Sequence, residues 1–449
     1  MSFANKFVKK MNEKAGEDMF KKASDFNIND TAIYYKTTIP VLNALLSDGD
    51  FEKGFPCNKI IVLAGEKQTG KSFIMRAMED AFLKGNPHNI LFKFDSEGAT
   101  TNDMMEDFGM DTTRTIINTP KSVEEFRHVT TNLIEDYIQD KKKGKHEFLS
   151  LIADIKPKKA IKNMEEYIKE SKGVLAKYVK DSEIIKEYPD MFEKMVEDYA
   201  LHMNDEGFAV EAVYELYFPK IMITLDSLGL LPTEKEQTDA RDNNNKSDMG
   251  RRAQLIKGLF RLLTNQSNLA SIPMVIINHI YTEMSMYGTS RMSGGQGAYY
   301  AADIILFLYK KKIRNKVTKE QLGSEVRCKV DKSRFIKEGS DMIVEILFGM
   351  GLNRMSSIFE LSLEAGLVKK LTSKSYQLDG SADKLSRDEV LPEIEKLLDN
   401  KEYMGKLSKY VYDKYSLFSK STIANKINSD IDDMLESMEE EETATNVEQ

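Results

Sequence analysis

The eight residues Gly65-Glu66-Lys67-Gln68-Thr69-Gly70-Lys71-Ser72 fit the pattern G-x-x-x-x-G-K-[ST], and they lie between an apolar run and an amphipathic one. Asn58 to Ala64 reads as a buried strand. Phe73, Ile74, Ala77, Met78, Ala81 and Phe82 then recur at helical spacing until Gly85 and Pro87 end the helix. A glycine loop between strand and helix turns backbone N–H groups inward at the positive end of the helix dipole, which makes it a phosphate cradle. Lys71 can reach the β and γ phosphates, and the Ser72 hydroxyl can ligate Mg²⁺. The chain is therefore expected to bind a nucleotide with its metal.

Bulk composition narrows the setting. With 449 residues and 41% hydrophobic content, the chain has material for one large core and one or two smaller domains. Cys57 and Cys328 are the only cysteines, too few for a disulfide framework or a zinc site, which suits a reducing cytoplasm. No apolar signal core opens the sequence and no run is long enough to span a bilayer, so no membrane partner is expected. A net charge of −8 argues against indiscriminate binding to nucleic acid, because neutralising phosphates requires Lys and Arg. Much of the acid is concentrated at the end, where Asp430, Asp432, Asp433, Glu436, Glu439 to Glu442 and Glu448 follow Lys426 without a basic residue. Such a block repels itself and is expected to be disordered, either a solubilising tail or one that competes with nucleic acid or recruits a partner.

From Ile33 to about Thr372, apolar strands alternate with amphipathic helices, so the expected class is α/β, a mostly parallel sheet flanked by helices. Strand candidates are Lys59–Ala64, Ile90–Phe94, Ile221–Leu225, Met274–Ile277, Ile304–Tyr309, Val326–Val330 and Ile343–Phe348, the later ones pairing antiparallel across the Lys310 to Gly323 connection. Residues 1–32 read as a helical arm and 33–372 as the ATPase core. Residues 373–428 read as a small C-terminal domain and 429–449 as the tail. A crossover between parallel strands needs about a dozen residues, so the Lys- and Glu-rich segment 141–215 reads as a helical insertion. Lys141-Lys142-Lys143 within it reads as a solvated hinge.

Open α/β sheets bind ligands at the carboxyl ends of their strands. There the second strand ends in Asp95-Ser96-Glu97, and Glu97 can align a water for attack on the γ-phosphorus. Ile221 to Leu225 ends in Asp226, the expected carboxylate for Mg²⁺ beside Ser72. Pro273 to Ile277 ends in Asn278-His279, groups placed to sense the γ-phosphate. A loop follows with Gly288, Gly294, Gly295 and Gly297 among Tyr281, Met284, Met286, Tyr287, Arg291 and Met292; its flat and flexible side chains can support or separate bases.

Taken in order, Ala64 to Ser72, Phe94-Asp95-Ser96-Glu97, Leu225-Asp226-Ser227-Leu228-Gly229, Ile277-Asn278-His279, Gly294-Gly295 and Asp331-Lys332-Ser333-Arg334 resemble the RecA-family recombinases, most closely their phage UvsX-like branch. The resemblance covers roughly Ile33 to Lys370 apart from the insertion. It implies a DNA-dependent ATPase that assembles into a helical filament on single-stranded DNA, pairs it with homologous duplex DNA and exchanges strands. ATP and Mg²⁺ would sit between adjacent protomers, and residues 1–32 would serve oligomerisation. By matching position, one DNA-binding loop is Pro232 to Met249, flanked by Arg251 and Arg252. The other is Tyr281 to Gly297, with Tyr287, Arg291, Gly294 and Gly295. Lys332 and Arg334 match the pair that reaches the neighbour's γ-phosphate. A mediator or single-strand-binding protein is a further implied partner, and the cytoplasm would be the host's if the chain is phage-encoded. Two features depart from the family: Met104 stands where relatives often have an aromatic residue against adenine, and the compact members lack the insertion. A hexameric RecA-fold helicase motor shares the same core and is the alternative; a scaffold tuned by nucleotide is a third.

Overall fold

In a computed structural model of the chain, the residues described are 3–15, 33–107, 109–155, 164–202, 210–242, 249–282, 290–294 and 296–419. Two compact units divide the chain, one comprising Tyr35–Tyr137 and Pro219–Gln449, the other Met1–Tyr34 and Ile138–Phe218.

The larger unit is organised by a ten-stranded sheet. Its strands are β1 (Ile60–Gly65), β2 (Ile90–Asp95), β3 (Thr115–Asn118), β4 (Ile221–Asp226), β5 (Met274–Thr282), β6 (Ile304–Arg314), β7 (Gln321–Lys332), β8 (Asp341–Leu347) and β9 (Gly351–Leu352). The order across the sheet is β9-β8-β7-β6-β1-β5-β4-β2-β3, and the short strand Ser290–Met292 pairs with β5 off this path. The block from β6 to β3 is parallel, whereas β6, β7, β8 and β9 pair antiparallel. This is the α/β sheet expected from the alternating sequence pattern. Central strands are covered on both faces and so need continuous apolar runs. Ile61, Val62 and Leu63 of β1 are completely buried, each contributing roughly 1.5–3 kcal/mol.

The nucleotide edge is set by the crossover helix α1 (Lys71–Gly85), which buries Ile74, Met75, Met78 and Phe82. Its C-terminal end is capped from outside the helix, where Arg114 Nη1 donates to Leu83 O and Asn86 O, both at 2.9 Å. After β3 comes the long helix α2 (Val123–Ile155). Lys141, Lys142 and Lys143 lie inside it, so this run is continuous helix and not the hinge its charge suggested. Lys141 pairs with Glu215 at 2.7 Å and Lys143 with Glu183 at 3.3 Å.

The other unit is helical, with Met164–Asp181, Pro189–His202 and Val210–Tyr217 around an aromatic centre. Phe148 lies 6.2 Å from Phe192 and 6.0 Å from Tyr214, ring centre to ring centre. Gly144 permits this close packing, since a Cβ there would stand 2.5 Å from the Tyr214 hydroxyl. Among the described residues, no helix is long and apolar enough to cross a membrane. The acidic run from Asp430 and the arm residues 16–32 lie outside the described residues.

Candidate functional site

β1 delivers the chain into the loop Gly65 to Gly70, and α1 leaves it. Gly70 adopts φ +91°, a conformation that favours glycine, and a Cβ on it would stand 2.5 Å from Ile346 Cδ1 of β8, displacing that side-chain end. Gln68 also has positive φ, at 62°. Glu66, Lys67 and Gln68 are exposed while Thr69 and Lys71 are buried, which leaves the loop's backbone open above and anchored below. Thr69 Oγ1 donates to Glu66 O at 3.0 Å, and Lys71 Nζ donates to Gly65 O at 3.0 Å and Glu66 O at 2.6 Å. Burial pushes the Lys71 ammonium below its ordinary range, against the opposing pull of Asp226, Glu97 and Glu66.

The carboxylates arrive from β2 and β4, whose register pairs Asp95 with Asp226. Ser72 Oγ donates to Asp226 Oδ2 at 2.8 Å. This hard-oxygen pair suits Mg²⁺, which takes one or two protein oxygens and completes its shell with phosphate and water. No cluster of three or more metal-ligating His, Cys, Asp or Glu side chains occurs among the described residues. Burial raises the Asp226 carboxyl above its usual range, with Ser72 and Lys93 pulling it back down.

Asp95 is buried and spends both oxygens on the loop that follows it: Oδ1 accepts from the N–H groups of Glu97 (3.0 Å) and Gly98 (2.9 Å), and Oδ2 from Thr100 N at 2.7 Å. It thereby fixes the backbone that presents the exposed Glu97. Ser96 Oγ donates to Ser227 O at 2.8 Å and accepts from Ser227 N at 2.7 Å, joining the two strand ends.

His279 closes this layer. Its Nε2 lies 3.9 Å from Glu97 Oε1 and 3.3 Å from Ser227 Oγ. Burial, with help from Lys71, holds the ring below its ordinary value, while Glu97 opposes. Asn278 Nδ2 donates to Ser293 O at 3.0 Å, and Ser293 Oγ donates back to Asn278 Oδ1 at 2.7 Å. The middle of β5 is thus tied to the returning segment that carries Gly294, at φ +83°. The fold brings Lys71, Ser72, Glu97, Asp226 and His279 together at one edge.

The remaining candidates fall elsewhere. Arg252 sits on the helix α3 (Met249–Ala270) and donates to Gly229 O at 2.8 Å, so it braces the turn after β4; Arg251 beside it is exposed. A Cβ on Gly297 would meet Lys257 Cα at 2.7 Å, which presses the helix Gly297–Ala301 against α3. Arg291 lies on the strand Ser290–Met292, whereas Tyr287 and Gly295 lie outside the described residues. Part of the first expected loop is the helix Glu234–Arg241, closed by a capping box between Thr233 and Glu236.

Lys332 and Arg334 stand apart from the glycine loop. Arg334 Nε binds Asp303 Oδ1 at 2.7 Å, and Asp303 N donates to Ile60 O at 2.8 Å, at the opposite end of β1 from Gly65. Five residues of strand separate those ends by about 17 Å. Lys332 Nζ donates to Tyr299 O at 2.9 Å and Tyr300 O at 3.1 Å.

Sequence reasoning passed over two features beside the site. Phe348 and Met350, 62% and 80% exposed, follow the strand whose Ile346 touches Gly70, while Met104 is 38% exposed on the helix Asn102–Asp107. The second is the buried pair of Lys93 and Glu79 beneath the carboxylates. An exposed Phe-Gly-Met-Gly turn was a readable signal; a lysine within an apolar strand was not.

A parallel sheet with a glycine-loop cradle, a hydroxyl and carboxylate for Mg²⁺ and a glutamate above them defines a P-loop nucleotide-binding protein. No family model matches the chain. It is 33% identical over 173 residues to the recombination and repair protein of Enterobacteria phage T4, which covers 38% of this chain and 44% of that protein. It is also 26% identical over 159 residues to Protein RecA of Acinetobacter baylyi (35% and 44% covered), and 30% identical over 156 residues to Protein RecA of Leptospira biflexa (34% and 39% covered). The chain thus spans less than half the length of these relatives. Within the P-loop class, these matches make the chain similar to RecA-type recombination proteins, the phage T4 protein among them.

Proposed function

We propose that this chain is an ATP-driven recombinase that polymerises on single-stranded DNA, pairs it with homologous duplex DNA and exchanges strands. The observation that carries the proposal is the division of cationic groups between the two ends of β1. Lys71 stands at the phosphate loop, and the Asp303 that Arg334 binds lies at the other end of β1, about 17 Å away along the strand. Cations that far from their own phosphate loop serve a phosphate only when a second copy brings its loop to them. Nucleotide binding and self-association then become one event.

Within one protomer, the loop N–H groups and Lys71 hold phosphate oxygens, Ser72 and Asp226 hold the metal, and Phe348 and Met350 offer an apolar cover for the base in place of an aromatic residue at Met104. Bound Mg²⁺ supplies charge neutralisation at the reacting phosphate. Glu97 accepts a hydrogen bond from the attacking water and orients it. His279 is the neutral neighbour of Glu97, and through Asn278 and Ser293 it is connected to the segment that reads DNA. Tyr287, Arg291, Gly294 and Gly295 form the DNA loop with Arg251, while Arg252 supports it. Self-association is supported at the far edge, where among the described residues β3 pairs on one side only and exposes Ile116 and Ile117.

ATP turnover measured with and without single-stranded DNA, with electron microscopy of the same mixtures, tests the proposal. Stimulated turnover with regular helical filaments, both lost in Lys71→Ala, is the expected result. A protein that remains monomeric at saturating ATP and oligonucleotide refutes it.

A further inference from the structure

Beneath the catalytic layer lies a second polar layer for which the chemistry described so far has no use. Lys93 of β2 is 1% exposed and Glu79 of α1 is 0% exposed; Lys93 Nζ reaches Glu79 Oε1 at 2.7 Å and Oε2 at 3.0 Å. Thr224 Oγ1 of β4, itself buried, donates to Glu79 Oε1 at 2.8 Å. Three charge-assisted bonds therefore converge on one carboxylate inside an apolar sandwich. Such a group is not explained by stability, because apolar side chains of similar volume commonly do as well or better in its place.

Its position relative to the site is regular. Lys93 and Thr224 are register partners, and Asp95 and Asp226, two residues further along the same strands, are the next partners on that face. On α1, Glu79 follows Ser72 by seven residues, close to two turns, and so shares its face. The helix is consequently tied to the strands at two levels: through Ser72 to Asp226, and through Glu79 to Lys93 and Thr224. One tie would leave the helix free to pivot about Ser72. Two ties fix both its rotation and its advance along the sheet, and hydrogen bonds to charge do so directionally where apolar contact does not.

We propose that Lys93 is a positioning residue for ATP hydrolysis: clamped by Glu79 and Thr224, it sets the register of the phosphate-loop helix against the strands that carry Glu97 and Asp226. The inference rests on the ATPase role proposed above. It adds that the distance between Ser72 and Asp226, and so the fit of the metal, is set from below by a buried ion pair.

The test replaces the pair with apolar groups of similar length, Lys93→Met with Glu79→Met, in the full-length protein. A purely structural pair would leave turnover and metal demand unchanged once the double variant is folded. The expected result is a thermal midpoint at or above that of the parent and nucleotide affinity within about threefold. Turnover should fall about tenfold or more, with a Mg²⁺ concentration for half-maximal turnover raised about threefold or more. Parental turnover and Mg²⁺ demand in the folded double variant overturn the inference. Should that variant be recovered unfolded, Thr224→Val decides, since it keeps the ion pair and removes one brace. A loss of about threefold in turnover supports positioning, and parental turnover overturns it. A parent protein that hydrolyses no ATP with single-stranded DNA removes the ATPase assignment itself, an outcome distinct from either result.

Discussion

Ser72 Oγ donates to Asp226 Oδ2 at 2.8 Å, joining the first turn of the phosphate-loop helix to the end of the strand beside β2. Both groups are ligands suited to one metal, and neither moves without its element. For the ATPase proposed above, this layer would be in place before a nucleotide arrives, which suits a reaction whose catalysis is mostly positioning.

Glu97 is exposed, and its backbone is fixed by Asp95. Glu97→Gln keeps the size and the loop while weakening the acceptor for the attacking water. Turnover should fall about a hundredfold or more with nucleotide affinity nearly unchanged. Equal turnover in a steady-state assay would remove Glu97 from the reaction.

Lys71 and Arg334 lie toward opposite ends of β1, so their defects should complement each other. Lys71→Ala and Arg334→Ala are each expected to be inactive alone. Mixed in equal amounts, they should recover part of the parental turnover, from junctions that join an intact loop to intact cations. A mixture as inactive as its components would place both groups in one protomer's reaction.

Ile116 and Ile117 are 48% and 38% exposed on an edge strand. Burying each in an interface would contribute roughly 1.5–3 kcal/mol. Ile116→Lys with Ile117→Lys should therefore abolish filaments in sedimentation assays while leaving nucleotide binding intact. Normal filaments would free this edge from the assembly surface.

Burial and the Lys71 ammonium hold His279 below its ordinary 6.5. The folded state then resists protonation more than the unfolded chain does. The resulting stability is present above the unfolded value and is lost as pH falls through the folded one. Thermal stability should decline below roughly pH 6.5, and His279→Gln should flatten that limb. An unchanged limb would assign the decline to other groups.

The apolar runs made the central strands legible. β1, β2, β4 and β5 are buried on both faces and advertise it in sequence. β3 escaped because only four residues pair at an edge, with Ile116 and Ile117 turned outward. β6 and β7 run further than their hydrophobic parts, to Arg314 and back from Gln321, because a hairpin ladder needs backbone partners and not burial. The polar edge was readable since β1, β2 and β4 run directly into their polar groups, whereas Lys93 was not. Its partner lies on a different element, and nothing in the spacing of Glu79 announces a contact that only the packed helix creates.

Tyr137 donates through its hydroxyl to Pro219 O at 3.0 Å. The hydrogen bond stitches together the two points where the chain leaves the sheet-bearing unit after β3 and returns to it before β4. Residues 138 to 218 are in this sense a passenger. A short linker in their place would alter the closure entropy only slowly with its length. Such cargo can be lengthened, trimmed or exchanged over generations without refitting the engine that carries it.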